Sequence, residues 1–126
     1  MATRSYIGIK NDDGTISGIY CHWDGYIFSG VGQGLYQEYN TREKAQTLID
    51  SGDQSALGQP YVPAQNRNHM GAIWEQRKPI CHPDFKDFRQ AGKTVSAQYV
   101  YLFEGDEWYY AYYEVMQPLK EILENR

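Results

Sequence analysis

The sequence has only two cysteines, Cys21 and Cys81, and neither belongs to a Cys-x-x-Cys pair. Each is followed by a histidine, but neighbouring side chains of an extended chain point to opposite faces and cannot share one ion. We therefore expect two free thiols and no metal site. Nothing in the sequence calls for a cofactor.

Long apolar segments are also missing. No run approaches the roughly 20 residues that a membrane-spanning helix needs, and the first residues lack the apolar stretch of a signal peptide. These absences predict a cytoplasmic protein without membrane contact. The 126 residues suit one domain, with a sequence that is 41% hydrophobic and 22% charged.

An excess of positive charge is lacking as well, because the net charge is −4. This disfavours binding to long nucleic acids. Residues 59–95 differ from the rest, with six basic and three acidic residues. Their net charge of +3 would suit a small anionic ligand, and Arg67 and Arg77 are candidate contacts. The same charges would equally well pair with the acidic flanks.

Phosphate-binding motifs are absent. Gly30, Gly32 and Gly34 alternate along the chain, whereas the dinucleotide fingerprint has two residues between its second and third glycines. No Lys-Ser or Lys-Thr follows, so the segment is not a P-loop. The spacing instead predicts the start of a helix with Val31 and Leu35 facing inward.

Strand-forming residues are abundant, including 12 tyrosines. Residues 6–9 and 15–23 flank an Asn-Asp-Asp-Gly turn and predict a hairpin. Residues 96–103 and 108–115 predict a second hairpin, with Gly105 first in a two-residue type II′ turn. That register places Phe103 opposite Trp108 and Tyr101 opposite Tyr110. Both faces are apolar, which predicts that the second hairpin is covered on both sides.

Helical signals are fewer. Asn40 is a candidate N-cap for a helix with an apolar stripe of Ala45, Leu48 and Ile49, and Pro118 opens a final helix. The predicted fold is α+β, with an antiparallel sheet of about four strands from the N- and C-terminal hairpins, packed with two or three helices. It forms a single domain over residues 1–126, with an irregular insert at about 53–95.

The densest chemistry lies in IYCHWDGY at residues 19–26. Strand alternation predicts that Ile19, Cys21 and Trp23 face the core and that Tyr20, His22 and Asp24 form a polar-aromatic row. With Tyr26 beyond the turn and Arg4 before the first strand, this row is a candidate ligand-binding site. Its rings would stack on a nucleotide-like ligand. His22 and Asp24 could alternatively act as an acid–base pair, but no nucleophile or oxyanion donor accompanies them.

Several segments resemble a family of small proteins encoded by bacteriophages and prophages. They are TRSYIG at 3–8, DGT at 13–15, IYCHWDGY at 19–26 and SGD at 51–53, with similar YLF, WY and PL pieces near the C-terminus. Family members usually have proline after DGY, where this chain has Ile27. The resemblance implies a phage setting and a location in the cytoplasm of the bacterial host, without assigning a reaction.

The preferred hypothesis is a non-catalytic anti-defence protein that sequesters a small nucleotide-derived signal. The alternative is a protein–protein inhibitor of a host defence complex, such as a CRISPR effector. A small enzyme ranks third and a virion component fourth. A closed pocket with aromatic and basic walls would favour sequestration, and a wide exposed patch would favour an inhibitor. The aromatic content also predicts a homodimer.

Overall fold

A computed structural model describes residues 3–60, 78–112 and 115–125. Arg67 and Arg77 lie outside the described residues, so their predicted roles are not addressed by the structure. The described part contains eight strands and four helices: β1 (Ser5–Lys10), β2 (Ile16–Cys21), α1 (Val31–Glu38), α2 (Arg42–Asp50), β3 (Gln54–Ala56), β4 (Gln59–Pro60), β5 (Ile80–His82), α3 (Phe85–Thr94), β6 (Tyr99–Glu104), β7 (Glu107–Tyr112), β8 (Val115–Pro118) and α4 (Leu119–Glu124).

Both predicted hairpins are present. β1 and β2 pair antiparallel around the predicted turn, where the Asn11 amide donates to the Thr15 carbonyl oxygen at 2.8 Å. β6 and β7 pair with Tyr101 opposite Tyr110 and Phe103 opposite Trp108, which confirms the predicted register. Gly105 has a φ of +65°, the left-handed value that the first central residue of a type II′ turn requires.

The hairpins lie in one sheet, as expected, but they meet through a parallel pair. β1 runs parallel to β6, with Ile7 beside Tyr101. The strand order is β4-β3-β2-β1-β6-β7-β8, and β5 also pairs with β2. The prediction of an antiparallel sheet of about four strands is therefore wrong, because the sheet is mixed and continues through seven strands, with β5 as an eighth beside β2.

The physical reason lies in the free edges of the two hairpins. A hairpin leaves one row of backbone donors and acceptors unpaired along each outer strand, and burial of that row is costly. β6 pairs with the outer edge of β1 and so provides partners for its backbone donors and acceptors. β3 and β5 share the outer edge of β2, and between them the Asp53 carboxylate accepts the Tyr20 amide at 2.9 Å.

Helices cover both faces of the sheet. On one face, α1, α2 and α4 pack over a core that includes Ile7, Ile19 and Tyr101. On the other, α3 buries Phe88 against Tyr6, and Val100 and Leu102 lie in the same cluster. β6 is thus covered on both sides, as predicted, whereas β7 stays partly exposed on the α3 face, where Tyr109 lies. The structure has four helices in its described part rather than two or three, and the additional one, α3, lies in the segment expected to be irregular.

Local helix predictions hold with small shifts. Val31 and Leu35 are buried in α1, and Ala45, Leu48 and Ile49 in α2. The N-cap of α2 is Thr41 rather than Asn40, since the Thr41 hydroxyl accepts the Lys44 amide at 3.2 Å. Pro118 occupies the N-cap position of α4.

Candidate functional site

The stretch after β2 departs from strand alternation. Ile19 and Cys21 are fully buried, in agreement with the predicted core face. Trp23 is 44% exposed, so the prediction that it is buried is wrong. β2 ends at Cys21, and Asp24 then adopts a φ of +59°. The two-residue period does not extend past the end of the strand.

Residues 22–28 form an aromatic loop between β2 and α1. Trp23, Tyr26 and Phe28 are 44%, 47% and 39% exposed. Trp23 also makes an edge-to-face contact with His22, with 4.7 Å between ring centroids. Three large, well-exposed rings within six residues are unusual on the surface of a small domain, where apolar patches of this kind often mark interaction sites.

The backbone of the aromatic loop is fixed by its contacts with α1. The N-cap of this helix, Gly30, has no side chain to satisfy the first helical amides. A Cβ at Gly30 would overlap the carbonyl oxygens of Asp24 and Tyr26, so glycine is required for the close approach. The amides of Val31, Gly32 and Gln33 donate to the carbonyl oxygens of Asp24, Tyr26 and Ile27 at 2.7, 3.0 and 2.8 Å, respectively.

Gly25 fixes the other side of the loop. Its amide donates to the Thr3 carbonyl oxygen at 2.8 Å, and its carbonyl oxygen accepts the buried Tyr101 hydroxyl at 2.6 Å. Asp24 and Ser29, each with a φ of +59°, lie at either end of the segment that presents Tyr26 and Phe28. Non-glycine residues adopt this conformation at a cost, and such positions cluster at functional sites.

Tyr20, His22 and Asp24, which were predicted to form one exposed row, differ in their exposure to solvent. Tyr20 is only 8% exposed, and its ring belongs to the core beneath α3. Its hydroxyl lies 2.6 Å from Nδ1 of His22. His22 is half-buried, whereas Asp24 and Tyr26 are exposed. The large exposed rings of the loop are therefore those of Trp23, Tyr26 and Phe28, of which only Tyr26 was a predicted site residue.

Arg4 lies beside this loop. Its carbonyl oxygen accepts the Gln98 amide at 2.9 Å, and its own amide donates to the Gln98 side chain at 3.3 Å. Burial and then the positive charge of Arg4 lower the pKa of His22. The imidazole is therefore neutral at pH 7, and Arg4 carries the local positive charge.

A second polar cluster lies on the α3 side of the sheet and was not predicted. The Tyr6 hydroxyl is 2.7 Å from Nε2 of His82, and Nδ1 of His82 is 2.7 Å from the Asp87 carboxylate. Tyr6 and His82 are each 3% exposed. The three residues connect β1, β5 and α3, and no local pattern in the sequence could have paired Tyr6 with a histidine 76 residues away.

Two surface grooves have acidic side chains among their described lining residues. One of about 520 Å³ lies beside the β6–β7 turn, and its described lining includes four carboxylates and one lysine. Another of about 390 Å³ lies along α3, where the described lining includes Asp53 and Asp87 and no basic residue. Both grooves are open to solvent. Acidic walls of this kind disfavour a phosphate-bearing ligand.

The described ranges 3–60, 78–112 and 115–125 contain neither a cluster of metal-ligand side chains nor a helix that could span a membrane. Within them, no three histidine, cysteine, aspartate or glutamate side chains are grouped as metal ligands would be. Cys21 is buried and Cys81 is exposed. The helices of this part of the chain are all too short or too polar to span a bilayer.

Comparison with known proteins gives no relative: no family model, curated protein or solved structure matches the chain. The chemistry of the aromatic loop and its surroundings is therefore the basis for a functional proposal.

Proposed function

We propose that the protein is a non-catalytic binding protein of a bacteriophage or prophage, and that it inhibits a host defence complex by contact in the host cytoplasm. The observation that supports this proposal is the aromatic loop, which exposes three rings on a backbone fixed at both ends. Tryptophan and tyrosine are enriched among the residues that contribute most to protein–protein affinity. A preformed loop also loses little conformational entropy on binding.

The phage setting rests on the sequence resemblance alone, and the segments that carry the resemblance lie close together in the structure. TRSYIG, IYCHWDGY and SGD are separated in the chain but meet at one end of the sheet. The Gly25 amide donates to the Thr3 carbonyl oxygen, and the Tyr20 amide donates to the Asp53 carboxylate. The segments that carry the resemblance thus build the support of the aromatic loop.

Sequestration of a nucleotide-derived signal stays a prediction with less support. It needs a pocket with aromatic and basic walls, and the two grooves described above have predominantly acidic charges among their described lining residues. A wide surface with exposed rings fits a protein partner better.

Phage plating on two bacterial strains tests the proposal. One strain carries CRISPR interference and the other a defence system that depends on a nucleotide signal. We expect the protein to restore plaques on the CRISPR strain, and Trp23→Ala or Tyr26→Ala to remove most of this effect. Loss of one strong contact residue costs about 2 kcal/mol, or roughly 30-fold in affinity.

Phe85→Ala provides the matched control, since Phe85 is an exposed aromatic (37%) at the start of α3, outside the loop. It should leave plaque restoration unchanged. Restoration only on the nucleotide-signalling strain would favour sequestration, and restoration on neither strain would contradict the anti-defence proposal. An equal loss in the Phe85 variant would contradict the assignment to the aromatic loop.

A further inference from the structure

The side chain of Arg4 contains one buried nitrogen, Nε, that lacks a hydrogen-bond partner. Within the described part of the chain, no carboxylate forms an ion pair with its guanidinium group. A partly buried cation without a partner is unfavourable, and a paired charge in such a place gains more than one on an open surface.

Arg42 shows the usual arrangement for comparison. It is half-buried like Arg4, but its guanidinium donates to the Lys10 carbonyl oxygen at 2.6 Å. The two arginines have similar burial, but of the two only the Arg42 guanidinium has an acceptor among the described residues. The Arg4 Nε is therefore available to an acceptor group from a partner.

The position of Arg4 connects it with the aromatic loop. Gly25 packs against Arg4 so closely that a Cβ there would lie 3.1 Å from the Arg4 carbonyl oxygen. Gln98 holds the Arg4 backbone from the other side. The backbone of Arg4 is thus held beside the aromatic loop, and its charge is close enough to His22 to lower the pKa of that imidazole.

We propose that Arg4 is the anion-binding residue of this surface, and that it binds a carboxylate in an acidic segment of the partner protein. The inference rests on the proposed function for the nature of the partner. Planar bidentate pairing with a carboxylate is the geometry that a guanidinium favours. An apolar residue next to that carboxylate would pack on Trp23 or Tyr26.

The local charges favour a carboxylate over a phosphate. His22 is neutral at pH 7, and Asp24 is exposed on the same loop. A single guanidinium balances the charge of one carboxylate but only part of the roughly two negative charges of a phosphate, and the nearby Asp24 repels the more highly charged group more strongly. A single carboxylate is the weaker base and the smaller group, and it requires one cation only.

NMR titration of the arginine Nε–H signals tests the proposal without the partner. The probes are sodium acetate, sodium phosphate and adenosine monophosphate, each matched in ionic strength with sodium chloride. We expect acetate to shift the Arg4 signal saturably and to leave the Arg42 signal on the chloride baseline. Arg4→Gln should abolish acetate binding, Arg4→Lys should retain part of it, and Arg42→Gln should retain it fully.

Equal or linear responses at Arg4 and Arg42 would overturn the proposal, as would saturation by phosphate or adenosine monophosphate without saturation by acetate. Thermal melts check that each variant is folded. If acetate fails to bind but the Trp23 variant still loses plaque restoration, the anion site is wrong and the proposed function stands. If acetate binds and the loop variants keep full activity, the proposed function is wrong and the anion site stands.

Discussion

The hydrogen-bonded residues Tyr6, His82 and Asp87, of which Tyr6 and His82 are buried, make a strong prediction about stability. Tyr6→Phe removes one hydroxyl oxygen and keeps the ring. The His82 nitrogen that lies 2.7 Å from this hydroxyl then loses its partner at a site that is 3% exposed. A hydroxyl satisfies either protonation state of an imidazole nitrogen, since it both donates and accepts, and the phenylalanine ring does neither.

The expected loss is about 1–3 kcal/mol in the free energy of unfolding, the cost of leaving a buried polar group unpaired. For a domain of this size, that corresponds to a decrease in Tm of roughly 3–15 °C. Urea denaturation followed by circular dichroism measures the free energy, and an unchanged m-value shows that the transition keeps its character.

Tyr109→Phe is the matched control. Its hydroxyl donates to the Glu107 carboxylate at 3.3 Å on the exposed side of the β6–β7 hairpin, so its loss should cost less than about 0.5 kcal/mol. Equal costs for the two tyrosines would refute the argument from burial. A double-mutant cycle with His82→Ala is the stricter test, because additive losses would show that the Tyr6 hydroxyl does not act through His82.

The other predictions concern the thiols, His22 and Trp23. Burial raises the pKa of Cys21 to about 11, so a thiol reagent at pH 8 should label exposed Cys81 at once and Cys21 only on unfolding; rapid labelling of both would contradict the core position. The pKa of His22 lies below its ordinary value of 6.5, so the unfolded chain takes up a proton first. The free energy of unfolding should therefore decrease as the pH falls from about 6.5. Urea unfolding of His22→Gln should show a weaker decrease between pH 7 and pH 5. An unchanged decrease in this variant would exclude His22 as the source of the pH dependence. Trp23→Ala should cost no more than about 1 kcal/mol, whereas Ile19→Ala in the core should cost about 2–5 kcal/mol; the reverse order in thermal melts would restore the buried position that alternation predicts for Trp23.

The parts of the fold that local patterns determine were predictable from the sequence. The β6–β7 register follows from Gly105 and the aromatic alternation on either side of it. The inward faces of α1 and α2 follow from apolar spacing. In each case the information lies within about 20 residues of the chain.

Long-range pairing was not predictable by the same means. The parallel contact between β1 and β6 joins residues more than 90 positions apart, and neither strand encodes its partner. The expectation of a homodimer had its reason in the aromatic faces of the second hairpin. Helices cover both faces of β6, but the face of β7 that carries Tyr109 stays partly exposed, and the oligomeric state stays a prediction.

Helix α3 was missed although a local signal was present. Asp84 accepts the Asp87 amide at 2.8 Å as an N-cap, and Lys93 lies in the last turn. Prolines at 79 and 83 suggested an irregular segment. Proline shortly before a helix start is compatible with that helix, because it disrupts only what precedes it.

The site itself stays a prediction, but the expected exposure of its side chains can be compared with the structure. Alternation predicts an exposed row of Tyr20, His22 and Asp24; the structure buries Tyr20, half-buries His22, and exposes Asp24 together with Trp23. The exposed side chains differ from the prediction because the backbone after Cys21 also provides hydrogen-bond acceptors for α1. Its carbonyl groups must satisfy the first amides of α1, which Gly30 cannot cap with a side chain. When the loop carbonyls turn inward for this purpose, the aromatic side chains remain at the surface. The same hydrogen bonds that complete the helix therefore create the rigid surface on which the proposed partner binds.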